Sequence, residues 1–337
     1  MNQGSTSARK EFVPLPAMVG EARAQGKGWH TVLELLAAVG VFFVGQFAAS
    51  IVLGVSAALL FGVNAQGQIL TNADSLQVLS LFATLIATIV TMLYCRVIER
   101  RKLATLGFRS RGFVGEYLSG LILGFLLLAA SLAICLLTNT MTFRGITPQI
   151  PWKMICLFFV GFLFQGMSEE VICRGYLTIT LARRRSLVFA ILVSSALFSL
   201  MHFFNPNTSI LAFVNLFLFG VFAGVYFVKR GDIWGVGAIH SAWNFAQGHM
   251  FGIAVSGTTS NSTIASFTPT AAGTLINGGA FGLEGGLAVT AVMVIGIIIM
   301  LLTKSRNVYR LAAPNPATMI PIATDNQFPP AASQGGQ

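Results

Sequence analysis

The sequence predicts an all-α protein: a polytopic transmembrane helical bundle of about eight spans, with both termini cytoplasmic. Composition is the first reason, since 55% of the 337 residues are hydrophobic and only 9% are charged. Soluble domains carry about 25% charged residues, so this chain has too little polar surface for a water-soluble fold. The mean hydropathy of +0.76 supports the same conclusion, and we expect an integral membrane protein in contact with the lipid bilayer.

The spans are predicted from the apolar stretches, because a helix needs about 20 mostly apolar residues to cross the hydrocarbon layer. Eight stretches satisfy this requirement. The first and the fourth are long enough to tilt or to project beyond the bilayer. The predicted spans are residues 32–62, 76–95, 118–138, 152–182, 187–204, 209–228, 233–250 and 286–303.

Basic residues mark alternate sides of these spans. The basic clusters lie in the amino-terminal segment, in residues 96–111, at Arg183–Arg185, at Lys229–Arg230 and after the last span. The connections between them are poor in positive charge: residues 63–75 and 251–285 have none, and 139–151 has only Arg144. The positive-inside rule therefore predicts cytoplasmic termini. It also accounts for the net charge of +10, so we expect no nucleic-acid partner.

Three regions are predicted along the chain. Residues 1–30 are expected to be a flexible basic segment, and residues 31–310 the helical bundle with its motif core at 150–250. Residues 311–337, rich in proline, alanine and polar residues, are expected to be a flexible tail. The connection 251–285 is rich in glycine, serine and threonine, so it is expected either to be disordered or to form a re-entrant turn.

Ionisable and amide side chains inside predicted spans need a reason, because an ionisable group there costs roughly 2.5–3.5 kcal/mol on insertion scales. The groups that stand out are Glu169, Glu170 and Arg174 in the fourth span, His202 in the fifth, and His240 and Asn244 in the seventh. With a rise of about 1.5 Å per residue from the basic clusters, Glu169 and Asn244 lie about 20 Å deep, His202 roughly 23 Å and His240 roughly 15 Å. The sequence therefore predicts that these groups meet in one layer.

Helical geometry divides these groups by function. Glu170 and Arg174 are four residues apart with the acid first, which predicts an ion pair on one helix face. Glu169 points about 100° away and has no such local partner, as suits a general base. His240 and Asn244 are also four residues apart. Both can donate hydrogen bonds to one atom, an arrangement that suits stabilisation of an oxyanion.

Three motifs in order, each in a separate predicted span, resemble a known family. They are Glu169-Glu170-x-x-x-Arg174, Phe198-x-x-x-His202 and His240-x-x-x-Asn244. They are similar to the motifs of the CAAX-protease and bacteriocin-processing (CPBP, or Abi) family. The resemblance implies a bacterial plasma-membrane protein that is an intramembrane glutamic endopeptidase, needs no cofactor, and acts on a peptide or a membrane-anchored protein.

The resemblance also implies a role for each motif. Glu169 would activate water, which His202 would help to hold. The Glu170–Arg174 pair would orient the site, and the third motif would form the oxyanion hole. The family also includes proteins linked to bacteriocin immunity and members without detectable proteolysis. A non-catalytic scaffold or immunity protein therefore remains an alternative, as does a proton-coupled transporter.

Two other mechanisms are considered. Zinc could be bound by Glu169, Glu170, His202 and His240, although no helical H-E-x-x-H motif is present. Cys173 lies four residues after Glu169 and could act as a nucleophile served by His202. A cysteine in apolar surroundings is usually inert, and the family motif leaves this position free, so the glutamic mechanism is favoured.

Overall fold

The computed structural model describes residues 16–305. In chain order the α-helices are α1 (Ala17–Ala24), α2 (Thr31–Phe61), α3 (Ala73–Leu93), α4 (Phe113–Leu137), α5 (Trp152–Glu170), α6 (Ile179–Ala182), α7 (Leu187–Leu200), α8 (Ile210–Arg230), α9 (Trp234–Phe245), α10 (Thr274–Asn277) and α11 (Leu287–Leu302). Three π-helical segments extend them: Tyr94–Ile98 after α3, Val171–Thr178 between α5 and α6, and Ala246–Met250 after α9.

The mostly helical, membrane-spanning class agrees with the prediction, and each predicted span coincides with a helix. Five helices in the described part of the chain are long and apolar enough to cross a membrane: Thr31–Phe61, Ala73–Ile98, Phe113–Leu137, Trp152–Ala182 and Ile210–Arg230. The helices α7 and α11 are apolar but shorter. The count of eight spans and the cytoplasmic location of the termini therefore stay predictions.

The all-α prediction missed one element, a small antiparallel sheet. Strand β1 (Met141–Ile146) pairs with β2 (Ala265–Pro269), and the pairing is irregular between Phe143 and Gly145. The two strands come from the connection after α4 and the connection before α11. Because the strands pair, these two connections lie at the same end of the bundle.

Two more connections meet at that end. Ser262 donates its hydroxyl to Asp74 Oδ2 at 2.5 Å, so the first turn of α3, which follows connection 62–72 directly, contacts the loop before α11. Asn205 Nδ2 donates to the backbone oxygen of Ser256 at 3.2 Å, which adds the loop between α7 and α8. We call the end formed by connections 62–72, 138–151, 201–209 and 251–286 the opposite end.

The remaining connections form the other end of the bundle. Arg183 Nη1 lies 3.4 Å from Glu99 Oε2, and the Ile233 amide donates to the Gly107 carbonyl at 3.0 Å. Lys229 Nζ donates to the Leu301 carbonyl at 2.8 Å, which brings the end of α11 to the same place. We call this end, which comprises residues 16–30, 94–112, 183–186, 231–233 and 303–305, the basic end.

Part of the amino-terminal segment is helical. In α1 the side chains of Met18, Val19 and Ala22 are buried, and Arg23 Nε donates to the Ala182 carbonyl at 2.9 Å. The described part of the predicted flexible segment thus contains a helix packed on the bundle. Residues 1–15 and the predicted tail 311–337 lie outside the described residues.

Glycines let α9 approach its neighbours closely. A Cβ atom at Gly124 of α4 would overlap the backbone carbonyl of Ile239 in α9. A Cβ atom at Gly166 of α5 would lie 2.6 Å from the backbone nitrogen of Ser241. These contacts hold the backbone on both sides of His240 against α4 and α5, and they bring His240 beside the carboxylates at the end of α5.

Candidate active site

The ion pair predicted within one helix is confirmed. Arg174 Nη1 lies 3.0 Å from Glu170 Oε1, and the side chains are 1% and 0% exposed. The pair spans the point where α5 becomes π-helical, a feature that is frequent at functional sites. The Arg174 guanidinium also lies 4.6 Å from the centre of the Phe198 ring. A buried charge is thus balanced and packed behind the site.

His240 lies between the two glutamates. Its Nδ1 is 2.8 Å from Glu170 Oε1, and because an ionised carboxylate only accepts, Nδ1 is the donor. This hydrogen bond fixes the imidazole so that Nε2 faces Glu169, with Oε2 at 3.6 Å. His240 was predicted to face the reacting atoms, and the geometry adds that Glu170 orients it.

Glu169 has a local partner that the sequence prediction missed. Gln165 Nε2 donates to Glu169 Oε1 at 2.6 Å, and Gln165 Oε1 accepts from Asn244 Nδ2 at 2.9 Å. The prediction denied Glu169 an ion-pair partner on its own helix, and Gln165, four residues earlier on the same face, is a neutral hydrogen-bond donor that the prediction did not foresee. Glu169 Oε2 is different: it is buried and has no hydrogen-bond partner within residues 16–305.

His202, just after α7, is held by a hydrogen bond to the last turn of that helix. Its Nδ1 lies 2.9 Å from the Phe198 carbonyl oxygen, and its ring lies 4.9 Å from the Phe198 ring. A carbonyl only accepts, so Nδ1 carries the proton, and Nε2 of neutral His202 has a free lone pair. No described residue hydrogen-bonds to that nitrogen. His202 can therefore accept a hydrogen bond from a molecule in front of it.

Four of the six predicted site residues line one cavity of about 230 Å³: Glu169, His202, His240 and Asn244. Phe162, Phe198, Phe219 and Trp243 form aromatic parts of its wall. The other two predicted residues, Glu170 and Arg174, lie behind the wall and reach the cavity only through His240 and Phe198. Helix α5 with its π-helical continuation, the end of α7 and helix α9 thus bring the three motifs together, as the depth estimates predicted.

Glu284 is a second residue that sequence reasoning missed as part of the site. It lines the cavity, and its side chain is buried although it belongs to the loop before α11. Its Oε2 accepts from the Ser256 amide at 2.6 Å and from Gln247 Nε2 at 3.2 Å. Burial raises the pKa of the Glu284 carboxyl, and these hydrogen bonds oppose that rise. The signal in the sequence was a single acid in an otherwise uncharged connection.

The structure bears differently on the two alternative mechanisms, zinc catalysis and a cysteine nucleophile. Within residues 16–305, no group of three or more histidine, cysteine, aspartate or glutamate side chains is arranged to hold a metal ion. The zinc alternative stays an untested prediction. Cys173 is fully buried, contacts Met201 Sδ at 3.8 Å and does not line the cavity, so a substrate in the cavity would not meet its thiol.

A known family matches the segment of the chain that contains the site. Residues 151–246 match the family model described as type II CAAX prenyl endopeptidase Rce1-like. The matched segment contains all six predicted site residues and confirms the CPBP resemblance. It supports a membrane endopeptidase of the CAAX-protease type, and thus a hydrolase. No curated protein sequence matches the chain.

Proposed function

We propose that the chain is an intramembrane endopeptidase in which Glu169 activates water. The premise is the match of residues 151–246 to the Rce1-like family model. One observation carries the proposal. Glu169 Oε2 is a buried acceptor without a partner among the described residues, on a residue of the cavity wall, 3.6 Å from His240 Nε2. Buried polar atoms normally have partners, so this atom is expected to bind a molecule that enters the cavity.

Water fits that position chemically. A water molecule would donate one hydrogen bond to Glu169 Oε2 and the other to Nε2 of His202. During attack Glu169 would take a proton from the water while the oxygen bonds to the carbonyl carbon of the substrate. Glu169 would then pass the proton to the amide nitrogen, the carbon–nitrogen bond would break, and a carboxylic acid and an amine would leave. The carboxylate returns to its starting state.

The oxyanion formed in this step needs donors. Asn244 Nδ2 uses one hydrogen for Gln165 and retains a second for the cavity. With a proton on both ring nitrogens, His240 would donate from Nε2 while Nδ1 stays bonded to Glu170. Such preoriented donors in a site shielded from water supply a large part of transition-state stabilisation. The proposed role of Glu170 and Arg174 is to hold His240 in this orientation.

The proposed substrate is a polypeptide anchored in the membrane. The family description points to a membrane-anchored protein, and the aromatic wall of the cavity is compatible with an extended peptide. A proton relay in a transporter would use the same carboxylates. The peptidase is preferred because a general base, a water-binding histidine and oxyanion donors line one cavity.

The test compares peptides in membranes of cells that carry the intact protein or Glu169→Gln. The substitution preserves volume, so the amount of protein should stay the same while peptide release falls at least about 100-fold, the lower end of what general bases contribute. Glu21→Gln makes the same chemical change on an exposed residue of α1 and should leave release unchanged. Full release by Glu169→Gln would disprove the glutamic mechanism. No release by the intact protein would favour the scaffold or immunity role.

A further inference from the structure

The wall of the cavity is built in part by the opposite end of the bundle. Val255, Ser256, Thr258 and Glu284 belong to connection 251–286, Asn205 belongs to 201–209, and Gln77 and Ser80 lie in the first two turns of α3. None of the lining residues belongs to the basic end. The cavity therefore extends from Glu169 toward one end only.

The region between Glu169 and the basic end is closely packed. Every residue from Glu170 to Ala182 is buried. Arg174 packs on Phe198, and a Cβ atom at Gly175 would lie 2.8 Å from the Leu106 carbonyl oxygen. A peptide cannot pass through this packed region without displacing it. The route to Glu169 is thus from the opposite end.

Charge assigns a side of the membrane to each end. Of the lysines and arginines within residues 16–305, Arg144 lies in the opposite end, Lys153 in the first turn of α5 beside it, and Arg174 in the interior. All the others lie in the basic end or, as Lys229 and Arg230 do, in the last turn of α8 next to it. Lysines and arginines in short connections stay on the cytoplasmic side during insertion. The opposite end therefore faces away from the cytoplasm.

We propose that the cavity opens to the non-cytoplasmic side, and that its substrate is an extended segment of a membrane-anchored polypeptide exposed on that side. A peptide tail displayed in the cytoplasm would meet the closed basic end. The identity of the ligand as a peptide rests on the proposed function. The side of the membrane from which the cavity is reached does not depend on the proposed function, so the orientation and the ligand can be tested separately.

The experiment measures thiol accessibility in intact cells of a bacterial host that expresses the full chain. Cys156, the exposed cysteine of the described chain, is first replaced by serine. Thr258→Cys then places a thiol at the cavity entrance, and Lys102→Cys places one at the basic end; both positions are exposed. A maleimide that cannot cross membranes is applied before and after permeabilisation, in the Glu169→Gln background as well. The readout is the fraction of each thiol that is labelled from outside.

We expect external labelling of Thr258→Cys to exceed that of Lys102→Cys at least tenfold, with Lys102→Cys reacting only after permeabilisation. Ser80→Cys, which lies in the cavity wall, should react with a small impermeant thiosulfonate from outside. Equal labelling or the reverse order would overturn the proposed orientation, whether or not the protein cleaves peptides.

A second readout tests the substrate route. Bulky modification of Thr258→Cys from outside should lower Glu169-dependent peptide release at least fivefold, and the same treatment of Lys102→Cys should not. Efficient labelling of Thr258→Cys with unchanged release would overturn the substrate part of the proposal and leave the orientation intact. Absence of release from the unmodified protein would instead count against the proposed function.

Discussion

At the scale of single residues, two adjacent glutamates differ because of what surrounds them. Glu170 contacts Arg174 and His240, so its charge is balanced inside the protein. Each carboxylate has one oxygen without a hydrogen-bond partner among the described residues, but Glu169 lines the cavity and Glu170 does not. This difference in environment supports the proposed division of roles, in which Glu170 is structural and Glu169 takes part in the chemistry, as in other sites with paired carboxylates.

The Glu170–Arg174 pair gives a stability prediction. Glu170→Gln leaves the Arg174 charge buried without a counter-charge, and Arg174→Met does the same to Glu170. Removal of one partner of a buried pair destabilises by about 3–5 kcal/mol, so both variants should show lower thermal stability after detergent extraction and lower membrane levels. The double variant Glu170→Gln/Arg174→Met contains no orphaned charge and should recover part of the loss. A double variant as unstable as the sum of the single variants would contradict this explanation.

Gln165 gives a prediction about activity. Gln165→Met preserves length and removes the donor to Glu169 and the acceptor for Asn244. A hydrogen bond to a charged group contributes about 1.5–3 kcal/mol, so kcat/KM should fall roughly 10- to 100-fold while the protein level stays the same. Gln46→Met removes an exposed amide from α2 and serves as the matched control. Unchanged kcat/KM for Gln165→Met would show that the link to Asn244 has no catalytic role.

Whether a site residue could be predicted from the sequence depends on the chemistry of its side chain. Charged and imidazole groups stand out in an apolar span, so Glu169, His202 and His240 were identified from the sequence. Gln165 is neutral, and an amide in such a span is equally compatible with helix packing. Its spacing of four residues from Glu169 was the available signal. Glu284 was missed because a loop acid is ordinary until the fold buries it.

At the scale of elements, the position of α9 depends on glycine contacts that can be tested. Gly124→Ala should overlap the Ile239 carbonyl and separate α4 from α9, at about 1–3 kcal/mol of stability. Gly115→Ala, on the same helix with open space around it, should be neutral or slightly stabilising because alanine favours helix. Thermal unfolding of the two detergent-solubilised variants gives the comparison. Similar unfolding temperatures for both would mean that the α4–α9 contact adapts easily.

The elements show which parts of a fold local sequence can predict. Apolar stretches predicted the helices, since each span is a local property of about 20 residues. The sheet was not predicted because β1 and β2 lie far apart in sequence, so local sequence does not indicate that they pair. The π-helical segment after Glu170 was also missed, because helical periodicity does not distinguish it from a regular helix over so few residues.

At the scale of the whole molecule, the short helices place the site near water. Helix α7 has 14 residues and is therefore about 21 Å long, less than the roughly 30 Å of the hydrocarbon layer. It ends at Leu200, and the chain that follows, with His202 and Asn205, is non-helical and contributes to the cavity wall. Irregular backbone at membrane depth is tolerated where it is buried in protein or lines a water-filled cavity. The early end of α7 thus offers the proposed catalytic water a route to a carboxylate inside an apolar bundle.

Hydrogen exchange of the full chain in lipid nanodiscs tests this arrangement without reference to catalysis. Amides of residues 203–209 and 255–258 should exchange faster than those of 171–182, because the first two segments adjoin the cavity and the third is packed throughout. The difference should persist in Glu169→Gln, which leaves the backbone unchanged. Comparable protection of all three segments would mean that the loops seal the cavity from water, and hydrolysis would then require an opening motion of connection 251–286. Faster exchange in 171–182 would place the water path at the basic end, in conflict with the packing there.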